Sequence, residues 1–162
     1  MPYTGMLHIA TPTDREVVLT REFAAPRGLV FDALTRPELL KRWMQAPGRE
    51  FEVCEIDLKV GGAYHFVWRG RGKKAVGTSG VYRDIVPGER IATTEEWDDW
   101  DAGETLATTT ISEQDGKTIL TMISLFPSKE VRDTVLKSGL EKGAKENYDK
   151  LAEVLAELGA RS

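Results

Sequence analysis

The sequence predicts an α+β fold: one strand, two short helices, six further strands and one long helix, in that order. Three observations predict it. Residues 49–124 read as strands joined by short turns, with alternating apolar side chains such as Tyr64, Phe66 and Trp68. Pro26 and Pro37 each precede apolar residues at helical spacing. The stretch from Ser128 to Leu158 carries one apolar arc and one charged arc at 100° per residue.

Residues 1–14, with Pro2, Gly5 and Pro12, have no sustained period and are expected to form a loose leader, partly ordered at Met6-Leu7-His8-Ile9 at most. Residues 15–162 are expected to form a single domain. The alternation of Val17, Leu19 and Phe23 predicts the first strand over Arg15 to Phe23. Pro26 suits the first turn of a helix, where its missing N–H is not needed, and Val30, Phe31 and Leu34 follow at helical spacing. Pro37 opens a second short helix through Leu39, Leu40 and Trp43, which Ala46-Pro47-Gly48 is expected to end.

The strands then come in order. Phe51, Val53 and Ile56 belong to the first, and Gly61-Gly62 make a turn. Tyr64, Phe66 and Trp68 alternate on the next, and the basic turn Arg69 to Lys74 leads to a strand through Val76 and Tyr82. Pro87-Gly88 marks a turn before Ile91 to Trp97, and Asp98 to Gly103 reads as an acidic loop. Leu106 to Ile111 and Thr118 to Leu125 flank Asp115-Gly116, a strong hairpin signal. Consecutive hairpin-linked strands imply an antiparallel meander whose concave face needs a cover.

The terminal helix, at about 1.5 Å per residue, would be about 45 Å long and could cross the whole sheet. Its apolar arc contains Gly139, Gly143 and Asn147. Each glycine costs about 1 kcal/mol against alanine, and a buried asparagine needs a partner. This is the face of a helix closing over a space rather than over a solid core. Asp133 and Lys137 fit the arc poorly, so either the helix bends near Gly139 or that end lies over an opening. Both alternatives place a mouth near residues 129–139.

A chain of 162 residues with 41% hydrophobic and 30% charged residues has the composition of an ordinary globular protein. Its net charge of −4 argues against nucleic acid or an anionic membrane as the main partner. Cys54 is the single cysteine, which precludes an intramolecular disulfide and fits a reducing cytoplasm. No signal-peptide layout or membrane-length apolar run is present in this sequence.

The order of elements and several local motifs resemble the SRPBCC superfamily, whose START-domain and birch-pollen-allergen-like members share the helix-grip fold. The motifs are Phe23-Ala-Ala-Pro-Arg-Gly-Leu-Val-Phe-Asp-Ala-Leu-Thr-Arg-Pro-Glu-Leu-Leu-Lys-Arg-Trp43, Asp57…Gly61-Gly62 and Val86-Pro87-Gly88-Glu89-Arg90-Ile91. The Asp115-Gly116-Lys117-Thr118 hairpin and Gly139-Leu140-Glu141-Lys142-Gly143-Ala144…Tyr148-Asp149-Lys150-Leu151 complete the set. They are most similar to the branch named after the activator of the heat-shock protein 90 ATPase. The resemblance implies a curved seven-stranded antiparallel sheet gripping the C-terminal helix over an apolar cavity. It also implies a link to chaperones and stress response through the branch name. Where the family often has Trp or Met, this chain has Ala144, which would leave extra volume beside the helix.

Trp43, Phe51, Tyr64, Phe66, Trp68, Tyr82 and Trp97 could form a packed core or line an apolar ligand site; the helical glycines and the resemblance favour the site. Met122, Leu136, Leu140, Gly143, Asn147 and Tyr148 complete the candidate ligand-binding set, with Asn147 or Tyr148 as its polar contacts. His65 lies between Tyr64 and Phe66, so alternation points it to the other face, and Cys54 is expected to be a structural thiol. Glu95, Glu96, Asp98, Asp99 and Asp101 lack the spacing of a calcium loop and read as a solvated hairpin end. Trp100 beside them is a candidate partner contact or lid. The Arg69 to Lys74 turn leads into a strand rather than a helix, unlike a phosphate loop.

No catalytic residues, metal or cofactor are expected. The function expected first is a cytoplasmic binding module for a small apolar or aromatic ligand. A modulator of a chaperone ATPase comes second, and a cavity enzyme of cyclase, dehydratase or hydrolase type third. The expected assembly is a monomer or homodimer.

Overall fold

The computed structural model describes residues 6–44 and 49–160. The expected helix stop at Ala46-Pro47-Gly48 lies outside the described residues. Eight strands form one antiparallel sheet: β1 (His8–Ala10), β2 (Glu16–Phe23), β3 (Glu50–Ile56), β4 (Ala63–Arg69), β5 (Val76–Val86), β6 (Arg90–Trp97), β7 (Trp100–Gln114) and β8 (Lys117–Leu125). Their order across the sheet is β1-β2-β8-β7-β6-β5-β4-β3. Helices α1 (Arg27–Thr35) and α2 (Pro37–Trp43) follow β2, and α3 (Lys129–Lys137) and α4 (Leu140–Ala160) end the chain.

The sheet has one strand more than the expected seven. His8 pairs with Thr20 and Ala10 with Val18, so β1 extends the sheet beyond β2. Three residues cannot display a period, which is why the pattern alone gave no strand there. Strands β2 and β8 are neighbours, in register from Glu16 opposite Leu125 to Phe23 opposite Thr118. From β3 to β8 the strands form the expected meander. Register shifts at Phe51/Val53, Tyr82/Asp84 and Glu95/Trp97 bend it, as bulges do.

Two further differences are instructive. The acidic loop shrinks to a tight turn at Asp98-Asp99, because Trp97 and Trp100 pair across the strands and extend the hairpin. The terminal helix is two helices. Ser128 caps α3 by accepting a hydrogen bond from the Val131 N–H at 3.1 Å. Then Gly139 adopts φ +97°, a left-handed conformation that ends α3 and re-aims the chain into α4. Of the two readings open at that position, the chain takes the bend, sharpened to a break.

The core lies between the concave face of the sheet and the helices. Val17, Leu19 and Phe23 from β2, Leu120 from β8, Val30 and Ala33 from α1, and Leu40 from α2 are almost wholly buried. Tyr148, Leu151, Val154 and Leu155 of α4 complete this cluster. Arg42 of α2 forms an ion pair with Glu157 of α4 at the surface.

Candidate ligand-binding site

Period-two alternation decides which side chains β3, β4 and β5 present to the interior. Tyr64 pairs with Ile56 and Gly80, Phe66 with Cys54 and Thr78, and Trp68 with Phe51 and Val76. These residues therefore share one face of the sheet. Their rings form a continuous wall: Phe51 to Trp68 at 5.0 Å, Tyr64 to Phe66 at 4.9 Å and Tyr64 to Tyr82 at 5.9 Å between centroids. The polar ends are tied to backbone. The Tyr64 hydroxyl donates to the Thr94 carbonyl at 2.9 Å, and the Trp68 indole N–H to the Met44 carbonyl at 3.1 Å. Burial pushes the Tyr82 phenol up to about 12, with the Cys54 thiol adding to it.

Trp43 and Tyr148 are not part of that wall. They stack on each other at 6.3 Å, and Tyr148 meets Phe23 edge-on at 6.0 Å. The Trp43 indole N–H donates to the Ala33 carbonyl at 2.8 Å, and burial raises the Tyr148 phenol to about 12. Both belong to the solid core under the second half of α4. Beside them lies a residue the sequence reading passed over. Arg21 is 4% exposed, donates from Nη1 to Asp149 at 2.7 Å, and lies 5.3 Å from the Phe23 ring centre. Its Nε is buried with no partner. The signal was present in β2, where Arg21 continues the inward series Val17, Leu19.

Leu136 of α3 and Leu140, Gly143 and Asn147 of α4 are only half-buried, as is Met122 on the inner face of β8. A Cβ placed on Gly143 would meet no atom within 4 Å. The first half of α4 thus borders open space, while its second half is packed.

Glu95 was the second residue missed. It pairs with Thr105, which is buried on the concave face, and follows Thr93, which pairs with inward-facing Tyr82. Parity therefore turns Glu95 inward, away from the acidic hairpin end to which composition assigned it. Burial raises its carboxyl, yet the residue keeps accessible surface. Burial first and the Glu95 charge second raise the Tyr64 phenol, against hydrogen bonds from Thr78 and Thr93. Those groups form one polar patch of the interior, separate from the buried Arg21.

Residues 24–156 match the model of the family described as activator of Hsp90 ATPase homolog 1-like protein. The chain belongs to that family. A crystal structure of a Rhodobacter sphaeroides protein is 30% identical, with a TM-score of 0.88, covering 94% of this chain and 99% of that one. Proteins from Nitrosomonas europaea (23% identical, TM-score 0.82, 93% and 99% covered) and Mycobacterium smegmatis (20%, 0.84, 93% and 97%) share the fold. A search of curated proteins finds no match.

In this member of the Hsp90-activator-like family the remaining candidates divide between the two faces and the hairpin end of the sheet. His65 faces the convex side, where its Nε2 is 2.9 Å from Asp98 Oδ2. Trp97 lines a cleft of about 460 Å³ at the end of the β6–β7 hairpin, with Glu96, Asp98, Asp99, Trp100 and Asp101. It also pairs with Thr78, which pairs with Phe66, so strand parity puts it at the end of the aromatic wall. Among the described residues no group of three His, Cys, Asp or Glu side chains is arranged to hold a metal ion. Burial pushes the Cys54 thiol up, which makes it a poor nucleophile at neutral pH. Arg69 pairs with Glu52 at 2.7 Å, and Lys74 lies 3.7 Å from Asp99, so the basic turn is engaged with neighbouring carboxylates.

Proposed function

We propose that this protein is a binding module that holds a small hydrophobic or aromatic molecule between the aromatic wall of β3–β5 and the first half of α4. One observation carries the reading. On a half-buried face of α4, a side chain on Gly143 would meet no described atom outside its own helix within 4 Å. Ligand sites are concave, mostly apolar and furnished with a few placed polar groups. Phe51, Tyr64, Phe66, Trp68 and Tyr82 supply the apolar surface, while Met122, Leu136, Leu140 and Asn147 border it. Trp43 and Tyr148 are left out of the proposed site because they stack on each other in the core, and Trp97, opposite Thr78, stands at its rim.

The experiment is titration with a neutral apolar dye such as N-phenyl-naphthylamine, whose fluorescence rises on leaving water. The wild type is expected to bind it saturably, and Gly143→Leu to weaken binding at least tenfold by filling the space. Unchanged binding by Gly143→Leu would remove the helix as a wall. A cytoplasmic setting belongs to this reading. Among the described residues no helix is long and apolar enough to cross a membrane.

The family description favours a second reading, modulation of a chaperone ATPase. ATP turnover by the Hsp90-type chaperone of the same cell, measured with and without this protein, tests it. An unchanged turnover number would dispose of it.

A further inference from the structure

We infer that Glu95 is the polar anchor of the interior site, and that its ligand is an apolar or aromatic amine whose ammonium group is received by Glu95 beside the rings of Tyr64 and Tyr82. The inference rests on the binding-module reading and names the chemistry of its ligand. Four observations carry it. Glu95 is on the concave face by strand parity, through Thr105 opposite it and Thr93 two residues before. Its carboxylate makes no hydrogen bond or ion pair among the described residues, although thirteen ion pairs occupy carboxylates elsewhere. The residue keeps accessible surface although its strand position faces the core. Finally, the backbone makes room for the arrangement. A Cβ on Gly80 would collide with the Thr94 carbonyl and the Tyr64 ring, so only glycine lets that ring lie across β5 toward β6.

An ionised carboxyl without a partner in an apolar surround is unfavourable, so burial favours its protonated form unless a cation is there to pair with it. Its natural complement is a cation. A cation there also gains from aromatic faces, since ammonium groups are attracted to tyrosine rings within about 6 Å. A neutral donor would leave the charge uncompensated. An anionic ligand would be repelled.

The test compares two isosteric probes, naphthylmethylamine, which is cationic at neutral pH, and naphthylmethanol, which is neutral. Each competes against the neutral dye on wild type and on Glu95→Gln. Wild type is expected to prefer the amine by at least about tenfold, the size of one charge-assisted hydrogen bond. Glu95→Gln is expected to lose that preference while keeping its affinity for the alcohol. If wild type binds both probes equally, or if the preference survives Glu95→Gln, the assignment of Glu95 is overturned while the binding-module reading stands. If neither probe nor the dye binds wild type, both fall. Thermal unfolding gives a readout independent of any ligand. Removing an unpaired enclosed charge should leave the midpoint of Glu95→Gln equal to or above wild type. A lower midpoint would mean that the carboxylate has a structural partner, which also overturns the assignment.

Discussion

The two halves of α4 face the same sheet and are packed in opposite ways. From Tyr148 onward the inward residues Leu151, Val154 and Leu155 are buried against β2, α1 and α2. Before it, Leu140, Gly143, Ala144 and Asn147 are half-buried, and beyond Gly143 there is open space. The difference follows from what each half meets. The second half lies over aliphatic side chains and the Phe23–Tyr148–Trp43 stack, which fill the volume. The first half has no such filling, and the large rings of β3 and β4 pack tilted against one another, with the Tyr64 hydroxyl tied to the Thr94 carbonyl. One half is packed core and the other is only half-buried.

Truncating matched leucines would break this comparison if it is wrong. Leu151 is 0% exposed, so Leu151→Ala removes a fully packed side chain and should lower stability by about 3 kcal/mol in urea unfolding. Leu140→Ala, in the half-buried turn, should lose about 1 kcal/mol, because part of its surface stays in contact with water and less packing is lost. Equal losses would mean that the first half of α4 is core as well.

The Arg21–Asp149 pair sharpens the same contrast from the polar side. Asp149→Ala leaves a buried guanidinium without its partner and should lose about 2 kcal/mol. Hydrogen bonds from Lys145 and then Arg21 hold the Asp149 carboxyl below its ordinary value. A depressed carboxyl stabilises the fold above its unfolded pKa of about 3.9, and that contribution disappears as pH falls through the lower folded value. Acid unfolding of Asp149→Asn below about pH 4 should therefore be shallower than that of wild type. Identical acid limbs would show that the pair contributes nothing to stability.

The architecture was legible because its signals are local. Alternation marked β2 to β8, Pro26, Pro37 and Ser128 marked helix starts, and Asp115-Gly116 gave a two-residue turn with both residues at positive φ. The site was legible only in part. Tyr64, Phe66, Trp68 and Tyr82 follow from strand parity, but no local signal says that Trp43 and Tyr148 stack on each other rather than join them. Glu95 was masked by its neighbours. Four acidic residues after it suggest solvent, whereas the series Ile91, Thr93, Glu95 points inward. Gly139 and Gly143 look alike in sequence and do different things. One ends a helix with a conformation only glycine favours, and the other keeps a volume empty.

That last distinction leads to the smallest effect, and it has the opposite sign. Gly143 lies inside α4 with no positive φ, and an added methyl group would touch nothing. Gly143→Ala should therefore stabilise the protein by about 1 kcal/mol through helix propensity and a less flexible unfolded chain. The same change at Gly139 forces an L-residue into the left-handed region and should destabilise it by about 1 kcal/mol instead. Dye titration of the two variants separates fold from site. Gly143→Ala narrows the open half by one methyl group, so it should weaken dye binding while raising the unfolding midpoint. A variant that gains stability and loses ligand marks the glycine as kept for the space. A variant that gains stability with binding unchanged would place the site elsewhere in the grip.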